Sequence, residues 1–103
     1  MEKVLTLVGG SVSQRIERET YLIGSYHEDQ LQGIKIGMCN RGTSEDRLRK
    51  LQTGSLNTLK LLTVLPGNQE RDLHRRFATA RIRQNSEYFV PTPELLELLQ
   101  NNS

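Results

Sequence analysis

Apolar and polar residues alternate in two short stretches of the chain. In residues 21–25, Leu22 is offset from Tyr21 and Ile23, and in residues 33–37, Ile34 and Ile36 flank Lys35. A two-residue period sends successive side chains to opposite faces of a strand, so both stretches predict strands, joined by a polar connection over residues 26–32. Lys35 therefore points away from its isoleucine neighbours. If the two strands pair as an antiparallel hairpin with Tyr21 near Gly37, then Tyr21, Ile23, Lys35 and Gly37 share one face. Tyr21 then lies diagonal to Lys35, a separation of about 7 to 8 Å that long side chains can bridge.

The period becomes helical after a turn. Thr43 can cap a short helix with Asp46 completing a capping box, and Leu48 and Leu51 then face the core. Arg47, one turn before Leu51, borders this apolar face, whereas Arg49 and Lys50 point away. A third strand is expected over residues 58–65, with leucine on both faces, as in a central or most covered strand; Pro66 and Gly67 end it. Asn68 is a natural cap for a helix from residue 69 to about residue 81, whose Leu73 and Phe77 sit one turn apart on the buried side. Residues 87–90 read as a short extended segment closing the core. Thr92 as cap and Pro93 at the first helical position start a last helix, with Leu95, Leu96, Leu98 and Leu99 as its packing face. Residues 4–8 read as a further strand candidate ending at Gly9 and Gly10. These elements predict one small α/β (α+β) domain, an antiparallel sheet of about three strands flanked by helices. Residues 1–19 form an N-terminal extension and residues 20–103 the domain.

Composition adds limits more than direction. The chain has 103 residues, 25% of them charged, and a formal charge of +2, which is ordinary for a globular domain and only weakly suggestive of nucleic acid. The distribution says more: Arg71, Arg75, Arg76, Arg81 and Arg83 place five arginines in thirteen residues, a better fit to a phosphate-tracking face. Cys39 stands alone, which excludes an internal disulfide and a multi-cysteine zinc site. The apolar run at residues 4–8 is far short of a membrane span, so a cytoplasmic protein without a membrane contact is expected. The polar cluster Tyr26, His27, Glu28, Asp29 reads as a solvated loop.

Three positions carry candidate chemistry. Residues 37–44 nearly spell a phosphate-binding loop, but Thr43 stands where its lysine belongs; what survives is Arg41 and the helix-start amides meeting a backbone phosphate. Arg47 can hold a strained phosphate by paired hydrogen bonds or simply snorkel from the core edge. Glu70 lies in the apolar stripe of its helix, where a lone carboxylate is costly without compensation. It reads as a metal ligand, or as a carboxylate held by the helix dipole or by His74 at i+4.

The ordered series Tyr21-Leu22-Ile23, Lys35-Ile36-Gly37, Arg47 with Leu48 and Leu51, and Glu70 with Leu73, His74 and Phe77 resembles the motifs of the GIY-YIG nuclease superfamily. The closer likeness is to small phage and bacterial domains whose second motif reads Lys-Ile-Gly. Leu51-Gln52-Thr53-Gly54, Pro66-Gly67 and Glu87-Tyr88-Phe89 add to it, so that it spans roughly residues 20–99. The resemblance implies a metal-dependent DNA endonuclease. Glu70 would hold one Mg²⁺ or Mn²⁺, Arg47 would bind the developing charge, and Tyr21 would help deprotonate water, with Lys35 favouring the tyrosinate. Arg41, Arg71, Arg75, Arg76 and Asn85 are the candidate DNA contacts. Single-stranded, duplex and branched DNA remain open as substrates, as do a homodimer and a separate targeting partner. The rival readings are a nucleic-acid-binding or regulatory module that keeps the fold without cutting, and a protein-interaction domain built on the last helix. This sequence departs from the superfamily pattern at Glu19-Thr20-Tyr21, where only the tyrosine matches, and at Leu51, where several members carry histidine or tyrosine.

Overall fold

The computed structural model describes residues 17–83 and 86–102. The strand candidate at residues 4–8 and the candidate contact Asn85 lie outside the described residues. The two alternating stretches form a longer hairpin than their apolar cores suggest, β1 (Arg18–His27) and β2 (Gln30–Asn40). The strands pair antiparallel in the register considered above, with Tyr21 opposite Gly37 and Ile23 opposite Lys35. The expected polar connection is instead mostly strand. A two-residue turn at Glu28 and Asp29, both in the left-handed region at φ 51° and 63°, closes the hairpin. Two consecutive positive φ values give the turn whose twist matches paired strands; Asp tolerates it, but glutamate does not announce it.

Beyond the hairpin come α1 (Ser44–Thr53), β3 (Thr58–Pro66), α2 (Glu70–Arg76), a 3₁₀ turn (Ala78–Ala80), β4 (Tyr88–Phe89) and α3 (Pro93–Asn101). The strands form a four-stranded sheet in the order β3-β1-β2-β4, with every pairing antiparallel. The third strand is thus an edge, not the centre. Its leucines serve both faces because the β1–β3 register slips between Leu22 and Ile23, so that Leu22 meets Thr63 but Ile23 meets Leu61. Such a slip turns the strand over in mid-course.

Each face of the sheet carries its own apolar cluster. On one, Tyr21, Ile23 and Leu59 are buried under Leu48 and Leu51 of α1. On the other, Leu22, Ile34, Ile36, Leu65 and Phe89 pack with Leu73 of α2, Phe77 just after it and Leu95 of α3. The predicted cap of α3 is present, Leu95 N donating to Thr92 Oγ1 at 3.3 Å, but Leu96 faces solvent. The second helix ends at Arg76, well short of residue 81. Val90 N donates to the Ala80 carbonyl at 2.7 Å and Arg81 bridges Phe89, so the chain leaves the helix to join β4. No helix among the described residues is long and apolar enough to cross a membrane.

Candidate active site

The hairpin face beneath α1 is also the chemical face. Cross-strand partners point the same way, so Tyr21, Gly37, Lys35 and, across β2 and β4, Tyr88 share it. Gly37 is required there. A Cβ on residue 37 would fall on the Tyr21 hydroxyl and lie 2.8 Å from Cε1, so the bare backbone is what lets the phenol ring lie across the strand. Tyr21 is only 2% exposed. Its hydroxyl meets the guanidinium of Arg47, and that hydrogen bond, followed by the charge interaction with Tyr21, pushes the arginine further above its usual range.

Lys35 finds its ion-pair partner in Glu87. Its ammonium also lies 5.5 Å from the Tyr88 ring centroid. Glu87 is brought there by the backbone: Ile36 N donates to the Glu87 carbonyl at 3.0 Å as β4 docks on β2. Burial pushes the Glu87 carboxyl up, but the hydrogen bond and charge of Lys35 outweigh it and hold the group below the usual carboxylate range. Glu70, at the start of α2, goes the other way. Burial raises it first, the adjacent negative charge of Glu87 adds to this, and a hydrogen bond between the two carboxyls contributes, against weaker lowering by His74 and Lys35. Glu70 Oε2 is 3.8 Å from His74 Nε2, the i,i+4 contact foreseen in the sequence. His74 Nε2 also lies 2.9 Å from the Ile36 carbonyl, and since a carbonyl only accepts, the imidazole donates from Nε2. With its ring edge-on to Phe89 at 4.9 Å, His74 is a satisfied core histidine that ties α2 to β2.

The model of the T5orf172 domain family matches residues 19–100, from the first turn of β1 to the last turn of α3. The chain belongs to the T5orf172 domain family. This is a phage-associated domain of the nuclease-like type, linked to nuclease or DNA-binding roles. No curated protein and no solved structure matches the chain.

In this T5orf172 domain the remaining candidates separate. Arg71, Arg75 and Arg81 line an open cleft of about 550 Å³ with Asn68, Glu70 and His74, so two arginines of α2 lie beside the Glu70 carboxylate. Arg76 stands over the Phe77 ring, 5.0 Å from its centroid, in a different recess. Arg41 pairs with Glu17 at 2.5 Å and lines a separate groove. The start of α1 already has its anion: Ser44 donates to Glu19 Oε2 through its amide at 3.2 Å and its hydroxyl at 2.5 Å. The expected capping box is therefore replaced. Thr43 Oγ1 turns back to the Asn40 carbonyl at 2.6 Å, Asp46 pairs with Arg49, and the carboxylate of Glu19 caps from another strand. Glu19 is held below the usual carboxylate range chiefly by the Ser44 hydroxyl.

The donor set fits a hard divalent cation. Among the described residues no three His, Cys, Asp or Glu side chains gather into a cage. A magnesium-like ion does not need one, since it keeps several waters and takes one or two carboxylates. Glu70 lines an open cleft, and raised by burial and by the negative charge of Glu87 it is a group whose charged form lacks sufficient positive company. Glu87 is a candidate that sequence reasoning left unassigned. Its signal was present in the Glu87-Tyr88-Phe89 run, but its partner Lys35 is 52 residues away and only the β2–β4 pairing joins them.

Proposed function

We propose that this T5orf172 domain hydrolyses phosphodiester bonds in DNA with the help of one divalent cation, Mg²⁺ or Mn²⁺, on the plan of the GIY-YIG nucleases. Glu70, with Glu87 against it, would hold the ion, which when bound supplies positive charge to the scissile phosphate and the leaving oxygen. Arg47 binds a non-bridging phosphate oxygen through the guanidinium edge that Tyr21 leaves free. Tyr21, beside Arg47, is the group placed to act as the base. It takes the proton of the attacking water as the new phosphorus–oxygen bond forms and the bond to the sugar oxygen breaks, the leaving oxygen gaining its proton from solvent. Lys35 positions Glu87.

One observation carries this reading: the hairpin register sets Tyr21, Gly37 and Lys35 on one face beneath α1, and Lys35 there pairs with Glu87, whose negative charge in turn raises Glu70 of α2. Arg47→Ala should lower turnover by orders of magnitude with cooperative folding retained, and Arg49→Ala, whose partner is Asp46, should do little. Equal losses in both variants reduce Arg47 to general surface charge. The binding-module reading has its own support in the depth of Tyr21 and the commitment of Lys35 to Glu87, which leave the arginine cleft as the exposed feature. Salt-sensitive DNA binding without cleavage in either metal would favour it.

A further inference from the structure

The loop between α1 and β3 is braced on several sides. Gln52 spans it, donating from Nε2 to the Asn57 carbonyl at 2.8 Å and accepting at Oε1 from Leu59 N at 2.7 Å. Asn57 ties it to the sheet by donating from Nδ2 to Ser25 Oγ at 2.9 Å, and Asn57 N donates to Ser55 Oγ at 3.1 Å. At the tip of this fixed loop stands Leu56, 107% exposed. A leucine buried on folding would stabilise the domain by about 1.5 to 3 kcal/mol, and this one contributes none of it. A leucine carried into water on a braced loop is placed in advance for something that arrives later.

Two adjoining grooves meet at this loop, of about 540 Å³ on the side of Lys50 and Leu56 and about 360 Å³ on the side of Arg83 and Gln32. Ser55, Asn57 and Tyr88 belong to both, and neither has an acidic residue in its wall. The groove near Glu17 and Glu19, by contrast, mixes both charges. Tyr88 also forms the link to the catalytic cluster, as the cross-strand partner of Lys35. A polymer leaving the cluster past Lys35 would meet, in turn, an aromatic ring, amide and hydroxyl donors, two cations and an apolar projection.

Resting on the nuclease reading above, we infer that this groove receives unpaired nucleotides of the substrate strand next to the cleaved bond. Lys50 and Arg83 take phosphates, Tyr88 offers its ring to a base, and Leu56 packs against a second base. Both apolar contacts need base faces that a duplex keeps stacked, which favours a single strand over a paired one.

The test uses the full chain carrying Glu70→Gln, so that binding is read without cutting. Fluorescence anisotropy compares a duplex with a single-stranded overhang against a blunt duplex of the same length in Mg²⁺. Adding Leu56→Ser should weaken overhang binding by about tenfold, the scale of one lost base contact, and leave blunt duplex binding unchanged. Adding Arg71→Ala instead should weaken both. Leu56→Ser binding both substrates like its parent overturns the inference, as does a change of oligomeric state confined to Leu56→Ser, which would assign the leucine to a protein contact. Absence of DNA binding in the parent also overturns it. Overhang binding that depends on Leu56 in a wild-type protein that never cuts would sink the nuclease reading and leave the groove standing.

Discussion

Glu87→Ala removes the partner of a lysine that the fold has otherwise enclosed. The Lys35 side chain is 10% exposed and that of Glu87 45%, so the ammonium would be left in a largely dry site with one wall opened to water. Breaking a fully buried pair from one side costs about 3 to 5 kcal/mol. Because Glu87 is nearly half exposed, solvent screens the interaction and can follow the truncation inward, which brings the expected loss to about 2 kcal/mol. For a domain near this size that lowers Tm by roughly 10 °C. Lys35→Met with Glu87→Ala should recover much of the loss, giving a coupling of about 1 kcal/mol or more in urea unfolding. The pH dependence has a definite sign. The folded Glu87 carboxyl titrates below its ordinary 4.5, so its contribution is present above that value and disappears as pH falls through the folded pKa. Wild type and variant should therefore converge in acid. A single-variant loss under about 0.5 kcal/mol, the size of an ordinary surface change, or additive losses in the double variant, would refute the claim that this pair organises the site.

Glu19→Gln should cost about 1 kcal/mol in urea unfolding through the weakened cap on α1. The same sign argument applies, since Glu19 also titrates below 4.5 when folded: the difference should vanish in acid, and one that persists there would mean the carboxylate is not the cap. Gly37→Ala places a methyl group on the Tyr21 ring and should destabilise by about 1 to 3 kcal/mol. It should also abolish cleavage by moving the phenol off Arg47, so a fully active Gly37→Ala protein would remove Tyr21 from the reaction.

The two strands were legible because Tyr21, Ile23, Ile34 and Ile36 alternate with other residues, and a one-residue slip of β2 against β1 would turn Ile34 and Ile36 onto the Tyr21 face and Lys35 into the opposite core. The cap of α3 was equally plain, since Thr92 and Pro93 are local signals. What escaped was set by distance along the chain. Glu19 caps a helix 25 residues away and Glu87 pairs with a lysine 52 residues away, and no local pattern separates either from a solvated carboxylate. The edge position of β3 was hidden by the slip opposite Leu22, which gives an edge strand the two-sided leucine pattern of a central one. The early end of α2 depends on β4, a two-residue strand too short to show a period.

The central claim is that Glu70 serves a cation and, through it, the cutting of DNA, and Glu70→Gln tests it with two readouts. The folded Glu70 carboxyl is raised above its ordinary 4.5, so its charged form is a liability that grows as pH rises through that range. The variant should therefore be at least as stable as wild type at neutral pH without metal, and Mg²⁺ or Mn²⁺ should raise the Tm of wild type but not that of the variant. Cleavage of single-stranded, duplex and branched DNA in either metal should disappear while DNA binding persists or tightens, because Arg71 and Arg75 are untouched. A purified Glu70→Gln protein that cuts DNA as well as wild type and gains the same stabilisation from the metal would contradict the account.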